Sequence, residues 1–285
     1  MTTPNAITLE EIVATKREEV ARRKAETPLD ALQERIAELG RPRNFFAALT
    51  KHPSGLHTSI IAEIKRRSPS VREGGGWLRP EYAAEPWDPA EVARQYHRAG
   101  ASAISCLTDE TYFSGRLEYI HRVRDVTPLP VLRKDFIVDA WQVWESRAAG
   151  ADAILLIAEC LTEGEIIDLM ILAQQLGLTT LLEVHSVENL LRVRPHIGFP
   201  NRSYCLLGIN NRDLETMTTD VSHTLRLVDL VEDRSTLVSE SGIRTPKDLS
   251  LLRSQGVRIA LVGESLMREA SPGEALSRLL ARPEA

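Results

Sequence analysis

The chain has 285 residues, of which 43% are hydrophobic and 26% are charged, a composition typical of a globular protein. A net charge of -5 argues against general binding to nucleic acids or anionic membranes, and no apolar run has the length of a signal core or a membrane span. Three cysteines (Cys106, Cys160 and Cys205) without a CxxC pair, and histidines without HxH or HExxH spacing, lead us to expect a reduced, cytoplasmic protein that binds no metal.

The first 48 residues differ in pattern from the rest of the chain. Thr8-x-x-Glu11 and Thr27-Pro28-Leu29-Asp30 each have the form of a helix start. We therefore predict a helical extension, residues 1–48, packed on residues 49–285 within a single domain. Whether it covers a functional opening, or only packs there or between subunits, stays open at this point.

From residue 60 onward, short apolar runs alternate with helical segments. Asp88, Asp139, Thr162, Thr245 and Ser271 are predicted to cap helices, and glycines follow the helical stretches at 100, 150, 177 and 256. Apolar strands with helical crossovers indicate a parallel sheet covered by helices, and eight units favour a closed (β/α)8 barrel over a doubly wound open sheet. The predicted strands are residues 60–64, 102–107, 129–134, 151–157, 179–184, 204–210, 235–240 and 258–263.

A long loop, residues 71–87 with the sequence VREGGGWLRPEYAAEPW, separates the first strand from its helix. Three consecutive glycines give it conformational freedom, and long loops in compact domains often act as lids. A passive surface insertion is the alternative. The glycines lack the GxGxxG spacing of a dinucleotide-binding turn.

Polar side chains interrupt the apolar strands at their carboxyl ends, where the active site of such a barrel lies. Acids and bases gathered in a partly desolvated pocket shift one another's pKa values, as proton transfer requires. A purely structural network of ion pairs is the alternative. The residues concerned are Glu63 and Lys65, Lys134, Glu183, Asn210 and Arg212, and Glu240 and Ser241.

The turns after the last two predicted strands have features of a phosphate-binding site. Gly242 and Gly263 occupy turns in SESGI and VGESL, and the loops after strands seven and eight commonly bind phosphate through backbone N–H groups. The backbone N–H of Glu264 could donate while its carboxylate points away, and Ser68 could add a hydroxyl from the first loop.

Seven segments, taken in order, resemble the successive signature segments of the indole-3-glycerol-phosphate synthase family from about residue 44 to about residue 270. They are IIAEIKRRSPS, ISCLTDETYFSG, PVLRKDFIVD with QVWESRAAGADAILLI, LLEVH, GINNRDL, VSESGI and VGESLMR. Val71 and Arg72 follow Ser-Pro-Ser where the family often has Lys-Gly. This departure bears on the movement of the first loop rather than on the reaction.

The resemblance implies a (β/α)8 barrel with an N-terminal helical extension and a reaction of tryptophan biosynthesis. Such an enzyme converts 1-(2-carboxyphenylamino)-1-deoxyribulose 5-phosphate into indole-3-glycerol phosphate, with ring closure and release of carbon dioxide and water. It implies no cofactor, and its partner is a small anionic substrate with a carboxylate and a phosphate, not a nucleic acid or a membrane. We expect a monomer or a weak homodimer.

The resemblance also assigns roles to residues. Lys134 is the leading acid for ring closure, Lys65 is placed for the loss of water or for holding the substrate carboxylate, and Glu183 is the base with Glu63 as its partner. Asn210 would orient the substrate and Glu63. The implied catalytic residues are Glu63, Lys65, Lys134, Glu183, Asn210 and Ser241; the substrate-binding residues are Arg212, Leu107, Phe113, Phe136 and Leu155; the phosphate-binding residues are Ser68, Gly242, Gly263 and Glu264.

Other functions remain as alternatives. Lys134 could act as the nucleophile of a Schiff-base aldolase on a sugar phosphate. A related barrel, phosphoribosylanthranilate isomerase, binds a similar phosphate but should lack the paired lysines. A phosphate-binding barrel without chemistry is disfavoured because Lys134 and Glu183 are both present.

Overall fold

The computed structural model of the chain describes residues 7–51, 58–69, 71, 74–213 and 218–281. In these ranges eight parallel strands pair in chain order and close into a barrel. The strands are β1 Ser59–Ile64, β2 Ala103–Leu107, β3 Val131–Lys134, β4 Ala153–Ile157, β5 Thr179–Val184, β6 Cys205–Asn210, β7 Leu237–Glu240 and β8 Ile259–Val262. The α-helices are α1 Leu9–Glu26, α2 Leu29–Glu38, α3 Phe45–Thr50, α4 Ala90–Arg98, α5 Tyr119–Val126, α6 Ala140–Ala148, α7 Glu163–Gln175, α8 Val187–Val193, α9 Ser222–Leu227, α10 Pro246–Ser254, α11 Glu264–Met267 and α12 Pro272–Leu280.

The prediction of a closed (β/α)8 barrel is confirmed, and the doubly wound alternative is wrong, because β1 pairs with β8 as well as with β2. The predicted helix caps also form. Asp139, Thr162, Thr245 and Ser271 each accept a hydrogen bond from a backbone N–H of the first turn. Asp88 accepts from Ala90, where α4 begins one residue later than predicted.

Two apolar layers lie on either side of the strands because strand side chains alternate between faces. Ile60, Ala62 and Ile64 of β1 pack outward against the helices. Ile61 packs inside the barrel, whose lower end is filled by Phe45 and Leu49 of α3. Apolar packing thus closes the amino ends of the strands. The charged side chains of the barrel interior lie at the carboxyl ends.

The helices before the barrel are tied to it by buried polar contacts. Lys16 of α1 lies 3.0 Å from carboxylate oxygens of both Asp109 and Asp135 and is almost fully buried. The indole N–H of Trp141 in α6 donates to the carbonyl of Thr27 at 3.0 Å. The predicted boundary between residues 48 and 49 falls inside α3, residues 1–6 of the predicted extension lie outside the described ranges, and the division of the chain remains a prediction.

The loop after β1 folds back onto the barrel in its described part, residues 71 and 74–87. Leu78 and Tyr82 are buried, and the guanidinium of Arg66 lies 5.3 Å from the ring centres of both Trp77 and Trp87. These are cation–π distances. A lid function for this loop remains a prediction.

All three cysteines are free thiols, as the sequence led us to expect. Cys106, Cys160 and Cys205 are not joined in disulfides, and burial raises the pKa of each thiol. No helix in the described ranges is both long and apolar enough to cross a membrane.

We predict that Lys16→Met lowers the free energy of unfolding by about 3 kcal/mol, because it leaves Asp109 and Asp135 buried without their ammonium partner. Lys24→Met on the same helix is the matched control, since its ion pair with Asp139 is half-exposed and should contribute no more than about 1 kcal/mol. Urea denaturation of both variants measures the difference. Equal losses would contradict the assigned role of the buried pairs.

Candidate active site

Polar side chains from six strands converge on one cavity of about 860 Å³ at the carboxyl end of the barrel. Glu183 contacts two of the residues that line this cavity, Lys134 and Asn210. The predicted site residues that line the cavity are Glu63, Lys65, Ser68, Leu107, Phe113, Lys134, Phe136, Leu155, Asn210, Arg212, Ser241, Gly242, Gly263 and Glu264. The structure therefore brings all the predicted residues together.

Strand geometry explains this convergence. Lys134, Asn210 and Glu240 are the last residues of β3, β6 and β7, and Asn210 pairs in register with Glu240. Glu63 follows Ile61 at a spacing of two, so its side chain points into the barrel. The parallel direction of all strands then brings these ends to a single mouth.

The first ion pair of the site joins β1 to the residue just after it. Lys65 Nζ lies 2.7 Å from Glu63 Oε1. Burial alone would raise the pKa of Glu63, but the ammonium groups of Lys65 and Lys134 hold it below its usual range. A Cβ at Gly263 would overlap Glu63 Oε1, so this glycine also leaves room for the carboxylate.

The second ion pair joins Lys134 of β3 to Glu183 of β5. Lys134 Nζ is 3.1 Å from Glu183 Oε2 and 3.6 Å from Glu240 Oε2. Burial opposes the charge on Lys134, but these two carboxyl groups outweigh it and raise the pKa of Lys134. The same ammonium lowers the pKa of Glu183 despite its burial. Lys134 therefore rests as a cation beside an ionised Glu183.

Glu240 is the third carboxyl group of the site, in addition to those of Glu63 and Glu183. Burial and the neighbouring charge of Glu183 raise its pKa well above the usual range, so it keeps its proton beside the ionised Glu183. Two lysines thus balance two ionised carboxylates, and the third carboxyl group stays neutral. A Cβ at Gly208 would overlap Glu240 Oε1, so β6 needs glycine opposite this side chain.

Asn210 fixes Glu183 from the next strand. Its side-chain N–H donates to Glu183 Oε1 at 3.1 Å, and its oxygen accepts from the backbone of Arg212. The interpretation of the sequence paired Asn210 with Glu63, whereas the structure pairs it with Glu183. Strand order explains the difference, because β5 and β6 are neighbours and β1 lies across the barrel.

One wall of the cavity is apolar. Leu107, Phe113, Phe136 and Leu155 line it, and the rings of Phe113 and Phe136 lie 6.2 Å apart. The start of the chain adds Ile7, Leu9 and Ile12 to the lining. Such a wall suits a flat aromatic ring.

The opposite end has features of an anion site. The carboxylate of Glu264 is bound by Arg212 at 3.1 Å and by Arg268 at 2.9 Å, so it does not face the cavity as an unpaired charge. Gly242 has a φ of 78° and Ser241 a φ of 66°, a left-handed turn that turns the backbone toward the cavity. The Nε–H of Arg212 is buried and has no hydrogen-bond partner among the described residues, which leaves a donor for a ligand.

Two residues had no assigned role in the interpretation of the sequence. The interpretation placed Glu240 at the end of strand seven but assigned the catalytic role there to the adjacent Ser241. His185, in the segment LLEVH, also lines the cavity and lies 3.3 Å from Glu183. The spacing of two between Glu183 and His185 was the only available signal for it.

The chain is similar to known proteins over nearly its whole length. A family model described as indole-3-glycerol phosphate synthase matches residues 9–279. Proteins of that name from Rhodospirillum rubrum and Acidithiobacillus ferrooxidans are each 43% identical over 95% of this chain and over 98% and 97% of their own lengths. The solved alpha subunit of tryptophan synthase from Legionella pneumophila shares the fold, with a TM-score of 0.56 and 15% identity over 83% of this chain and 97% of that one.

We predict that Glu240→Gln stabilises the protein increasingly as the pH rises above about 4.3, the usual pKa of an unfolded glutamate. The folded protein must keep a proton on Glu240 that the unfolded chain releases, so wild-type stability falls by up to about 1.4 kcal/mol per pH unit in this window. Denaturation from pH 5 to 8 measures the difference between the two proteins.

Glu183→Gln is the control and has the opposite sign. The lowered pKa of Glu183 means that its stabilisation is fully present above the unfolded pKa, so this variant should be destabilised at every pH in that range. A Glu240→Gln variant whose stability parallels that of the wild type would show that Glu240 is ionised in the folded protein.

Proposed function

The chain belongs to the indole-3-glycerol phosphate synthase family, and we propose that it closes, decarboxylates and dehydrates 1-(2-carboxyphenylamino)-1-deoxyribulose 5-phosphate by general acid/base catalysis. The observation that carries this proposal is Lys134, a half-buried cation that lines the cavity while two carboxyl groups hold it. An acid placed in this way can protonate a ketone oxygen without moving.

The cavity supports one orientation of the substrate. The wall of Leu107, Phe113, Phe136 and Leu155 receives the anilino ring. The phosphate lies at the opposite end against Ser68, the backbone of Gly242, Gly263 and Glu264, and the unpartnered Nε–H of Arg212. The carbohydrate chain between these ends then passes Lys65 and Lys134.

Lys134 acts in the first step. The ring carbon that bears the carboxylate attacks the ketone carbon, and Lys134 gives its proton to the ketone oxygen as the bond forms. Carbon dioxide then leaves, and the electron pair of its bond restores the aromatic ring. Glu183 and Glu240 remain beside the neutral amine of Lys134 and keep that amine oriented.

Lys65 acts in the second step, after holding the substrate carboxylate in the first. It protonates the leaving hydroxyl, while the anilino nitrogen supplies the electron pair that expels water. The positive charge on that nitrogen is stabilised by the ionised Glu63 and Glu183. Glu183 then accepts the proton whose loss completes the indole.

The Schiff-base alternative is disfavoured by the state of Lys134. A nucleophilic amine must be neutral, whereas the flanking carboxyl groups raise the pKa of Lys134 and favour the ammonium form. Failure of borohydride to trap the substrate on the protein is the result we expect.

The setting of the enzyme also remains a proposal. Every step above is a proton transfer or a carbon–carbon or carbon–oxygen bond change, so the reaction needs no cofactor. We propose a cytoplasmic monomer or weak homodimer, for which light scattering over a range of protein concentrations is the test.

We predict that Lys134→Met lowers kcat between about 100-fold and 10,000-fold, because it removes the acid of the first step. Product formation from the carboxyphenylamino-deoxyribulose phosphate is followed by indole fluorescence. Lys247→Met on the exposed face of α10 is the matched control and should keep full activity. No product from the wild type would refute the proposed function, and near-full activity of Lys134→Met would refute the role of Lys134.

We predict that Gly263→Ala lowers kcat/KM by about 100-fold, because the new Cβ displaces the Glu63 carboxylate by a distance on the order of 1 Å. Gly164→Ala in α7 is the control, since a Cβ there meets no atom within 4 Å. A fully active Gly263→Ala enzyme would show that Glu63 tolerates displacement.

A further inference from the structure

His185 follows β5 directly, and its imidazole lies between two carboxylates. Its Nδ1 is 3.2 Å from Glu159 Oε2, and its Nε2 is 3.3 Å from Glu183 Oε1. The backbone N–H of His185 also donates to Glu159 Oε1 at 2.8 Å, which fixes the ring relative to that carboxylate. Glu159 belongs to a 3-10 helix, Ala158–Cys160, that follows the neighbouring strand β4.

This geometry favours the imidazolium form. A neutral imidazole has one N–H donor and one acceptor nitrogen, whereas a carboxylate only accepts. Nδ1 therefore donates to Glu159 Oε2, and the charge of Glu183, whose Oε1 lies 3.3 Å from Nε2, favours a second proton on the ring. His185 is then a second cation, on the side of Glu183 away from Lys134.

The other groups around His185 leave this assignment intact. Burial lowers the pKa of His185 and Lys134 lowers it a little further, but Glu159 and Glu183 outweigh both and raise it. The thiol of Cys160 has a raised pKa and is neutral, and Glu240 keeps its proton. His223 donates Nε2–H to the carbonyl of His185 and does not face the ring.

Among the described residues, Lys134 and His185 are the two cationic side chains within ion-pair distance of Glu183. This matters when Lys134 gives up its proton, because Glu183 then loses its nearest positive charge inside the barrel. An ionised carboxylate without a partner is costly at such a buried position. Asn210 supplies a hydrogen bond but no charge.

We propose that His185, held by Glu159, is a positioning residue that keeps Glu183 ionised and oriented after Lys134 has given its proton to the substrate. Glu183, the base of the second step, is therefore already ionised and oriented when that step begins. This inference rests on the proposed function, and it adds the pair Glu159–His185 to the residues on which the reaction depends.

The kinetic test uses His185→Gln, Glu159→Gln and the double variant. His185→Gln should lower kcat by about 10-fold to 100-fold, the size expected for the loss of one contact between charged groups at a buried position, with KM within about two-fold of wild type. Since only the protonated ring helps, the contribution is lost as the pH rises through the raised pKa of His185. Glu159→Gln should move that loss to lower pH and should have no further effect in the His185→Gln background.

His196→Gln is the matched control, because its ring also pairs with a glutamate, Glu163, but on the outer surface of the protein. It should leave kcat and the pH profile unchanged. Circular dichroism melting of each variant checks that the fold is retained. A kcat within two-fold of wild type for His185→Gln, or independent multiplicative losses in the double variant, would overturn the inference.

A second readout does not need the reaction. NMR titration of the histidine ring protons in the ligand-free protein should show a pKa of His185 above the usual range of histidine, with a lower pKa in Glu159→Gln. A pKa of His185 at or below that range overturns the inference even if the enzyme is active. An inactive wild type contradicts the proposed function instead, and the titration then still decides the state of His185.

Discussion

Lys134 carries a positive charge on a side chain that is only 15% exposed, and the rest of the site follows from that constraint. A buried ammonium is tolerated only with carboxylates in contact, which Glu183 and Glu240 supply. Those carboxyl groups are buried too, and burial together with the charge of Glu183 keeps the proton on Glu240. The glycines at 208 and 263 then become structural requirements, because a Cβ at either position would occupy the space of a carboxyl group.

The barrel makes this network possible by separating packing from chemistry. Apolar side chains fill the amino ends of the strands, and α3 closes that end with Phe45 and Leu49. The carboxyl ends are left for polar residues. The helix α1 is joined to this end through Lys16, whose partner Asp135 directly follows Lys134. The helix α1 therefore contacts the residue next to the proposed acid.

The fold, and the gathering of polar strand ends at one cavity, could be predicted from the sequence, because apolar runs, helix caps and polar strand ends are local features. The relations between residues could not. Gly242 and Gly263 look alike as turn glycines, and only the structure shows that Gly263 faces Glu63. The protonation of Glu240 depends on distances to two other strands, and the partner of His185 is Glu159, 26 residues away. The pairing of Asn210 with Glu183 likewise required knowledge of which strand ends are neighbours.

The central claim is that the resting site holds a cationic Lys134 between an ionised Glu183 and a neutral Glu240. The most direct measurement is carbon-13 NMR of the glutamate side-chain carboxyl groups in the ligand-free protein, assigned with the Gln variants at both positions. At neutral pH the account predicts the shift of a protonated acid for Glu240 and that of a carboxylate for Glu183. Two carboxylate shifts at that pH, or two protonated acids, would contradict it.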